Sequence, residues 1–296
     1  HPLVGNYIEV GSMRLRVDSV VAEGGFATVF AAHDNNDRYY ALKRQFARDK
    51  ESMDLLLNEI RILKELSGHS SLVEFVAAAQ KRSHTDGYEF LILTELCLGG
   101  SVANLMRNTF LTTDQCIKIF YSATLATRHM HERTVPITHR DIKLENLLIT
   151  VDGYVKLCDF GSATTQVFCP NEAWSAAKRA HLEEEMQLST TPMYRSPEIL
   201  DTYQNFTVGP QQDIWALGCV LYYLCYCVHP FQDSAKLRIL NVAYSIPSGF
   251  DEFEDVVPVI QSCLQLNPVS RPVARDLVET TSALAVALDV NLKEPI

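Results

Sequence analysis

The sequence lacks an uninterrupted apolar stretch of bilayer length. Its longest run, Ile214 to Val228, falls short of the roughly 20 residues that a spanning helix needs and is closed by Asp213 and by His229-Pro230. That run reads as a buried core helix. Metal-spaced cysteine is also missing: none of the 8 cysteines forms a C-x-x-C, which argues against zinc ribbons and disulfide scaffolds and for free buried thiols in a reducing compartment. Cys225 and Cys227 are expected inside the apolar helix, facing different sides as small packing residues. Basic charge is scarce. With 26 Lys and Arg against 36 Asp and Glu, the formal charge of −10 argues against a nucleic-acid binder or a polybasic membrane anchor, both of which draw affinity from Lys/Arg clusters. Neither nucleic acid nor direct membrane insertion is expected. Internal repeats and low-complexity linkers are absent as well. The start, His1-Pro2-Leu3, has no basic segment leading into an apolar one, so nothing signals secretion, and a start without Met reads as cut from a longer chain.

What is present is an ordinary globular composition, 47% hydrophobic and 21% charged over 296 residues, enough for one large domain or two lobes. The first ninety-odd residues read as strands (14–21, 28–32, 39–44, 90–96) with one amphipathic helix over 53–66, where Leu56, Ile60, Leu63 and Leu66 mark the apolar face. After Gly99-Gly100 helical periodicity takes over, at 114–131, 212–227, 255–265 and 273–287, interrupted by short strands at 147–150 and 155–158 around Asp152-Gly153. Between Asp159 and Glu198 lies a long segment, and long segments inside compact domains are usually functional. Part of it has helical spacing through Trp174, Ala177, His181, Leu182, Glu185 and Met186, with Asn171 as the expected N-cap.

His139-Arg140-Asp141-Ile142-Lys143-Leu144-Glu145-Asn146, Asp159-Phe160-Gly161 and Ser196-Pro197-Glu198 follow Tyr40-Ala41-Leu42-Lys43 in that order. Each is weak alone, but together, in matching strand, loop and helix contexts, they resemble the protein-kinase signature set over nearly the whole chain. The resemblance implies an α+β, bilobal protein-kinase fold. A β-rich N-lobe with one helix (1–94), a hinge (95–99) and a mainly helical C-lobe (100–296) containing an activation segment (159–198) are expected. ATP and Mg2+ are the implied cofactors.

Phosphoryl transfer demands positioning and charge neutralisation more than covalent chemistry. In the implied arrangement Lys43 meets the α/β-phosphates, held by Glu59 on the N-lobe helix in preference to Glu51 or Glu65, with Ile60 and Leu63 setting that helix's buried face. Asp141 accepts a hydrogen bond from the substrate hydroxyl, Lys143 lies near the transferring phosphate, and Asn146 and Asp159 offer hard oxygens to magnesium. Lys143 and Thr191, in Thr191-Pro192-Met193-Tyr194, resemble the serine/threonine branch. His139 and Arg140 support the loop, Asp213 holds its backbone, and Glu198 pairs with Arg271.

The nucleotide loop departs from G-x-G-x-x-G-x-V. It reads Ala22-Glu23-Gly24-Gly25-Phe26-Ala27-Thr28-Val29, with two glycines replaced by alanine, so a stiffer loop is expected. Val21, Val29, Ala41 and Leu148 would sandwich adenine, Thr94 would be the gatekeeper, and the backbones of Glu95 and Cys97 would offer hinge hydrogen bonds.

Leu157-Cys158-Asp159-Phe160-Gly161-Ser162-Ala163-Thr164, Asp213-Ile214-Trp215-Ala216-Leu217-Gly218-Cys219 and the helical insertion before Thr190 look like the Numb-associated kinases. That family implies a cytosolic serine/threonine kinase acting on threonine of clathrin-adaptor medium subunits in vesicle traffic, working beside the clathrin coat through sequence outside this chain. By packing Trp174, Leu182 and Met186 on the large lobe, the insertion would hold the activation segment without a phosphate, while Thr164, Thr165, Ser175, Ser189 and Thr190 offer phosphorylation sites. Three function classes compete: an active kinase, a catalytically dead kinase fold serving as a scaffold, and a regulatory module stabilised by nucleotide. The intact Lys43, Asp141, Asn146 and Asp159 favour the first; the two loop alanines favour the second. A dinucleotide-binding oxidoreductase fits poorly, because Gly24-Gly25 precedes a strand rather than a helix.

Overall fold

The computed structural model describes residues 1–25, 27–83, 87–107 and 109–296. Phe26, expected in the nucleotide loop, lies outside the described residues. The chain divides into two compact units, His1–Leu98 and Gly99–Ile296.

In the first unit, alternating sequences build β1 (Tyr7–Val10), β2 (Met13–Glu23), β3 (Ala27–His33), β4 (Tyr39–Ala47), β5 (Phe75–Arg82) and β6 (Tyr88–Glu95), joined in an antiparallel sheet of order β1-β2-β3-β4-β6-β5. Alternation sends Val10, Leu15, Val17, Phe30, Leu42 and Leu93 into one core. On the opposite face the register aligns Val29, Lys43 and Ile92 in one rung and Ala31, Ala41 and Thr94 in the next. One hydrophobic pattern therefore fixes both the core and the side from which Lys43 projects.

α1 (Lys50–Leu66) crosses between β4 and β5. It begins three residues before the expected start, because Asp49 and Ser52 close a reciprocal capping box. Its buried face is Leu56, Glu59, Ile62, Leu63 and Leu66; Ile60 is only half-buried, so the apolar face is rotated from the expected one.

The second unit contains α2 (Val102–Met106), α3 (Thr113–His131), β7 (Leu147–Ile149), β8 (Val155–Leu157), α4 (Ala176–Ser189), α5 (Pro197–Leu200), α6 (Gln211–Tyr226), α7 (Lys236–Leu240), α8 (Val257–Cys263) and α9 (Ala274–Ala287). α3 packs on α6 and α9, and α6 carries the apolar run. Ile214, Trp215, Leu217 and Val220 on it are completely buried. At Gly218 a Cβ would come within 2.7 Å of Cys263 Cβ, so α6 and α8 approach as closely as they do only because that side chain is missing. Among the described residues no helix is long and apolar enough to cross a membrane.

Three local expectations are corrected. The helix expected over 255–265 is a 3-10 turn (Asp251–Val256) followed by α8, which has Pro258 in its first turn, where a missing N–H costs nothing. Cys227 is not inside the apolar helix: it caps α6 in the left-handed region at φ 56°. Among the described residues the thiols form no disulfide, but they are not uniformly buried, since Cys169 is exposed and Cys158 and Cys227 are half-buried.

Candidate active site

Lys43 on β4 and Glu59 on α1 form an ion pair in the first unit, with Nζ to Oε1 at 2.7 Å. Glu59 is 2% exposed, whereas Glu51 is exposed and Glu65 pairs with Arg61 at 3.3 Å on the outer face. Geometry thus places Glu59, the carboxylate preferred from the sequence, on Lys43 and sets Glu51 and Glu65 apart from it. A buried carboxylate must be paired to be tolerated, and the pair fixes the lysine's direction.

Val29, Ala41 and Thr94 share the sheet face of Lys43. Val21 does not align with them in the β2–β3 register: it falls in a bulge between Val20 and Ala22 and is 55% exposed. The nucleotide loop closes as a hairpin, with Glu23 opposite Thr28 and the Gly24 N–H donating to the Ala27 carbonyl at 2.9 Å. Ala22, Gly24 and Gly25 all avoid positive φ, so at Ala22 the lost glycine costs no backbone strain here. Glu95 ends β6 and accepts the Glu74 N–H on Oε1 at 2.7 Å, and Cys97 is buried just beyond it.

In the second unit the loop after α3 is organised by Asp213, buried on the first turn of α6. Its Oδ2 accepts the His139 N–H at 2.8 Å and meets His131 Nε2 at 2.9 Å, while its Oδ1 accepts the Arg140 N–H at 2.9 Å. Arg140 is thereby held at φ 71°, a left-handed conformation that costs a non-glycine residue about 1–3 kcal/mol and persists only where its surroundings over-determine it. His139 is fully buried, faces the Cys158 carbonyl through Nε2 at 3.0 Å and stands edge-on to Phe160 at 5.1 Å between ring centroids. Phe160 is itself buried, so Asp159-Phe160-Gly161 is tied to the loop that carries Asp141.

Asp141 follows immediately. Its Oδ1 accepts the Thr191 hydroxyl at 2.5 Å, and its Oδ2 pairs with Lys143 Nζ at 2.8 Å. Lys143 also donates to Thr191 Oγ1 at 2.9 Å, closing a triangle. Asn146, buried in a 3-10 turn, donates Nδ2 to the Asp141 carbonyl at 2.8 Å and to its Oδ2 at 3.2 Å. With the amide's donor end committed to Asp141, its oxygen end is turned the other way. Asp159 lies at φ 62° and accepts the Gly161 N–H on Oδ1 at 3.4 Å. One amide oxygen and one carboxylate fit a small hard cation that keeps water and phosphate oxygens as its other ligands. Leu148, between these groups on β7, is half-buried opposite Lys156.

Glu198 on α5 and Arg271 make a fully buried bidentate pair, both bonds 2.7 Å, and the guanidinium also donates to the Gln211, Gln265 and Leu266 carbonyls and lies over Trp215. The helix expected in the long segment is α4, but its cap is Ser175, whose side chain accepts from the Lys178 N–H. Asn171 instead forms a turn with Ala173. The buried face of α4 is Arg179, Leu182 and Met186; Ala177 and His181 are exposed, and Trp174, ahead of the helix, is half-buried against Leu182, Met186, Ile199 and Val208. Arg179 donates to the Asn171 and Thr202 carbonyls and to Asn205 Oδ1.

Two functional neighbours were not singled out from the sequence. His131 shares Asp213 with the loop, and Glu185 on α4 pairs with Arg140 Nη1 at 2.8 Å. Their sequence signal is faint, because a histidine or glutamate in a helix ordinarily points to solvent.

A fold of this kind, with a lysine–glutamate pair in the sheet unit and an Asp–Lys–Thr triangle beside an Asn and an Asp in the helical unit, is that of a protein kinase. The chain belongs to the protein kinase family: residues 15–281 match the protein kinase domain. It is 36% identical over 287 residues to a probable serine/threonine-protein kinase of Dictyostelium discoideum, covering 95% of this chain and 25% of that protein. A second Dictyostelium protein of the same description is 34% identical, over 93% of this chain and 34% of its own length. The serine/threonine-protein kinase sel-5 of Caenorhabditis elegans is 35% identical, over 99% of this chain and 27% of its own length. The chain therefore spans about a quarter to a third of these curated relatives. It is a protein kinase domain with a β-rich and a helical lobe, and the family implies ATP as phosphoryl donor and protein hydroxyls as acceptors.

Proposed function

We infer that this chain transfers the γ-phosphate of ATP to threonine in the medium subunits of clathrin adaptors. The observation that carries the chemistry is the Asp141–Lys143–Thr191 triangle. In this reading Asp141 accepts the acceptor hydroxyl's hydrogen bond and aligns its oxygen for attack on the γ-phosphorus, and Lys143 offsets charge on the transferring group. Thr191 holds both at the correct rotamer. Lys43, aimed by Glu59, takes the α/β-phosphates, and the sheet face bearing Val29, Ala41 and Thr94 receives adenine, with Glu95 and Cys97 providing backbone contacts. Asn146 and Asp159 would hold Mg2+. When bound, magnesium neutralises phosphate oxygens.

The substrate assignment is supported by the wording of residues 157–164 and 213–219 and the helical insertion, which resemble the Numb-associated kinases. The 22–27 loop, Thr94-Glu95-Leu96-Cys97 and residues 174–185 are most similar to the cyclin-G-associated, auxilin-type branch. The same resemblance supports a cytoplasmic protein at clathrin-coated vesicles and perinuclear, trans-Golgi membranes. It also supports contact with the clathrin coat through sequence outside this chain.

The test is magnesium-dependent transfer to an adaptor medium-subunit peptide, to the same peptide with its threonine replaced by alanine, and to a generic basic protein. Transfer confined to the threonine peptide supports the assignment; equal transfer to the basic protein removes the substrate and leaves the kinase. The loop alanines favour a nucleotide-binding scaffold as a second reading, in which ATP binds without turnover.

A further inference from the structure

We propose that Glu185 is a positioning residue for phosphoryl transfer, setting the catalytic loop through Arg140 in the place where kinases regulated on their activation segment use a phosphate. The proposal rests on the kinase activity stated above and adds to it a device for holding the loop in register.

Arg140 precedes Asp141 directly and sits in a left-handed conformation, so its backbone stays in place only if its surroundings hold it. Asp213 holds the N–H. The side chain is gripped from two other directions: Nε donates to the Ser162 carbonyl at 2.5 Å, and Nη1 pairs with Glu185 Oε1 at 2.8 Å. One guanidinium thus joins the loop bearing Asp141, the turn that follows Asp159-Phe160-Gly161, and α4. It is only 7% exposed in its side chain, so its charge needs a local anion.

In activation segments ordered by phosphorylation, a new phosphate–arginine pair supplies that anion. Here the anion is encoded in the chain. Glu185 cannot swing away freely, because α4 is anchored on both sides of it: Leu182 and Met186 enter an apolar cluster with Ile199 and Val208, and Glu183, two residues earlier, accepts from the Thr202 hydroxyl at 3.0 Å. A carboxylate on a fixed helix presents a constant charge to Arg140, whereas a phosphate would come and go.

The role differs from that of a stabilising surface pair. Losing Glu185 would leave the nucleotide-binding lysine pair in the first unit untouched and slacken the residue adjoining Asp141. The expected signature is a fall in kcat with little change in the KM for ATP.

The experiment compares phosphatase-treated wild type, Glu185→Ala, Glu185→Gln and the exposed neighbour control Glu184→Ala, using ATP and a basic protein substrate, with thermal unfolding recorded for each. We expect kcat to fall about tenfold in Glu185→Ala, the scale of loss that slight misplacement of a reacting group produces, with KM for ATP within about twofold. Glu185→Gln, which still accepts a hydrogen bond from Arg140 but lacks the charge, should fall in between. Glu184→Ala and phosphatase-treated wild type should keep full rate. If Glu185→Ala does not fold, the same-sized Glu185→Gln carries the comparison. Unchanged kcat in both Glu185 variants overturns the proposal, as does loss of most activity on phosphatase treatment of wild type. Absence of turnover in untreated wild type would instead remove the kinase activity on which the proposal depends.

Discussion

Thr191 stands 50 residues after Asp141, yet its hydroxyl donates to Asp141 Oδ1 at 2.5 Å and accepts from Lys143 Nζ at 2.9 Å. One hydroxyl thus fixes both the acceptor and the cation of the transfer step. Replacing it with Thr191→Val keeps the shape of the side chain but removes both bonds, leaving the Asp141–Lys143 pair without the hydroxyl that orients it. kcat should fall by about tenfold or more while Thr191→Ser retains most of it. Steady-state kinetics on the two variants decide the matter, and equal rates for Val and wild type would mean that the triangle is only structural.

The Lys43–Glu59 pair predicts a different pattern. Glu59→Gln keeps an acceptor for Lys43 but removes the charge that aims it, so affinity for the ATP phosphates and kcat should both suffer, and Lys43→Met should abolish transfer. ATP titration by thermal shift separates binding from turnover. A Lys43→Met protein that turns over at wild-type rate would dismiss Lys43 from the reaction.

Much of this site was legible in the sequence because its parts are short, ordered runs whose chemistry dictates residue type. Asp141, Lys143 and Asn146 lie within one loop of six residues, and spacing alone puts them together. Glu59 was identified, though the neighbours cited for it were not all correct: Ile62, not Ile60, is fully buried beside it. β5 was missed because the alanines Ala77-Ala78-Ala79 at its centre have little strand propensity, and β6 offers it the backbone partner that makes it a strand. The Ser175 cap lost out to Asn171 because both are good N-caps and periodicity fixes a helix start only within a few residues. Glu185 was read only as one residue of the helical stripe, and its pairing with Arg140 could not be found, since a helix charge carries no mark of a tertiary partner 45 residues away.

Glu198 and Arg271, both without solvent exposure, predict a stability effect rather than a catalytic one. Removing either partner strands a buried charge, so Glu198→Ala or Arg271→Ala should cost about 3–5 kcal/mol in urea unfolding. Replacing both at once with well-packed apolar residues should cost less than the single changes added together. Additive losses would show that the two charges do not compensate each other.

His229 predicts a pH dependence. Burial holds its imidazole down at about 4, below the ordinary 6.5, and Nδ1 accepts the Phe231 N–H at 3.1 Å. Because the folded value is depressed, the unfolded chain takes up the proton first on acidification. The stability associated with neutral His229 is fully present above about pH 6.5 and is lost as pH falls toward 4, by about 2 kcal/mol between pH 7.5 and 5. Urea midpoints at those two pH values should differ more for wild type than for His229→Gln. Identical slopes would place His229 in contact with water.

The central claim is that Asp141 orients the acceptor hydroxyl in phosphoryl transfer from ATP. The most direct measurement is magnesium-dependent transfer of labelled γ-phosphate by wild type and Asp141→Asn, with ATP binding followed in parallel. Wild type should transfer phosphate, Asp141→Asn should not, and both should bind ATP. Transfer by Asp141→Asn at a rate near wild type would contradict the claim.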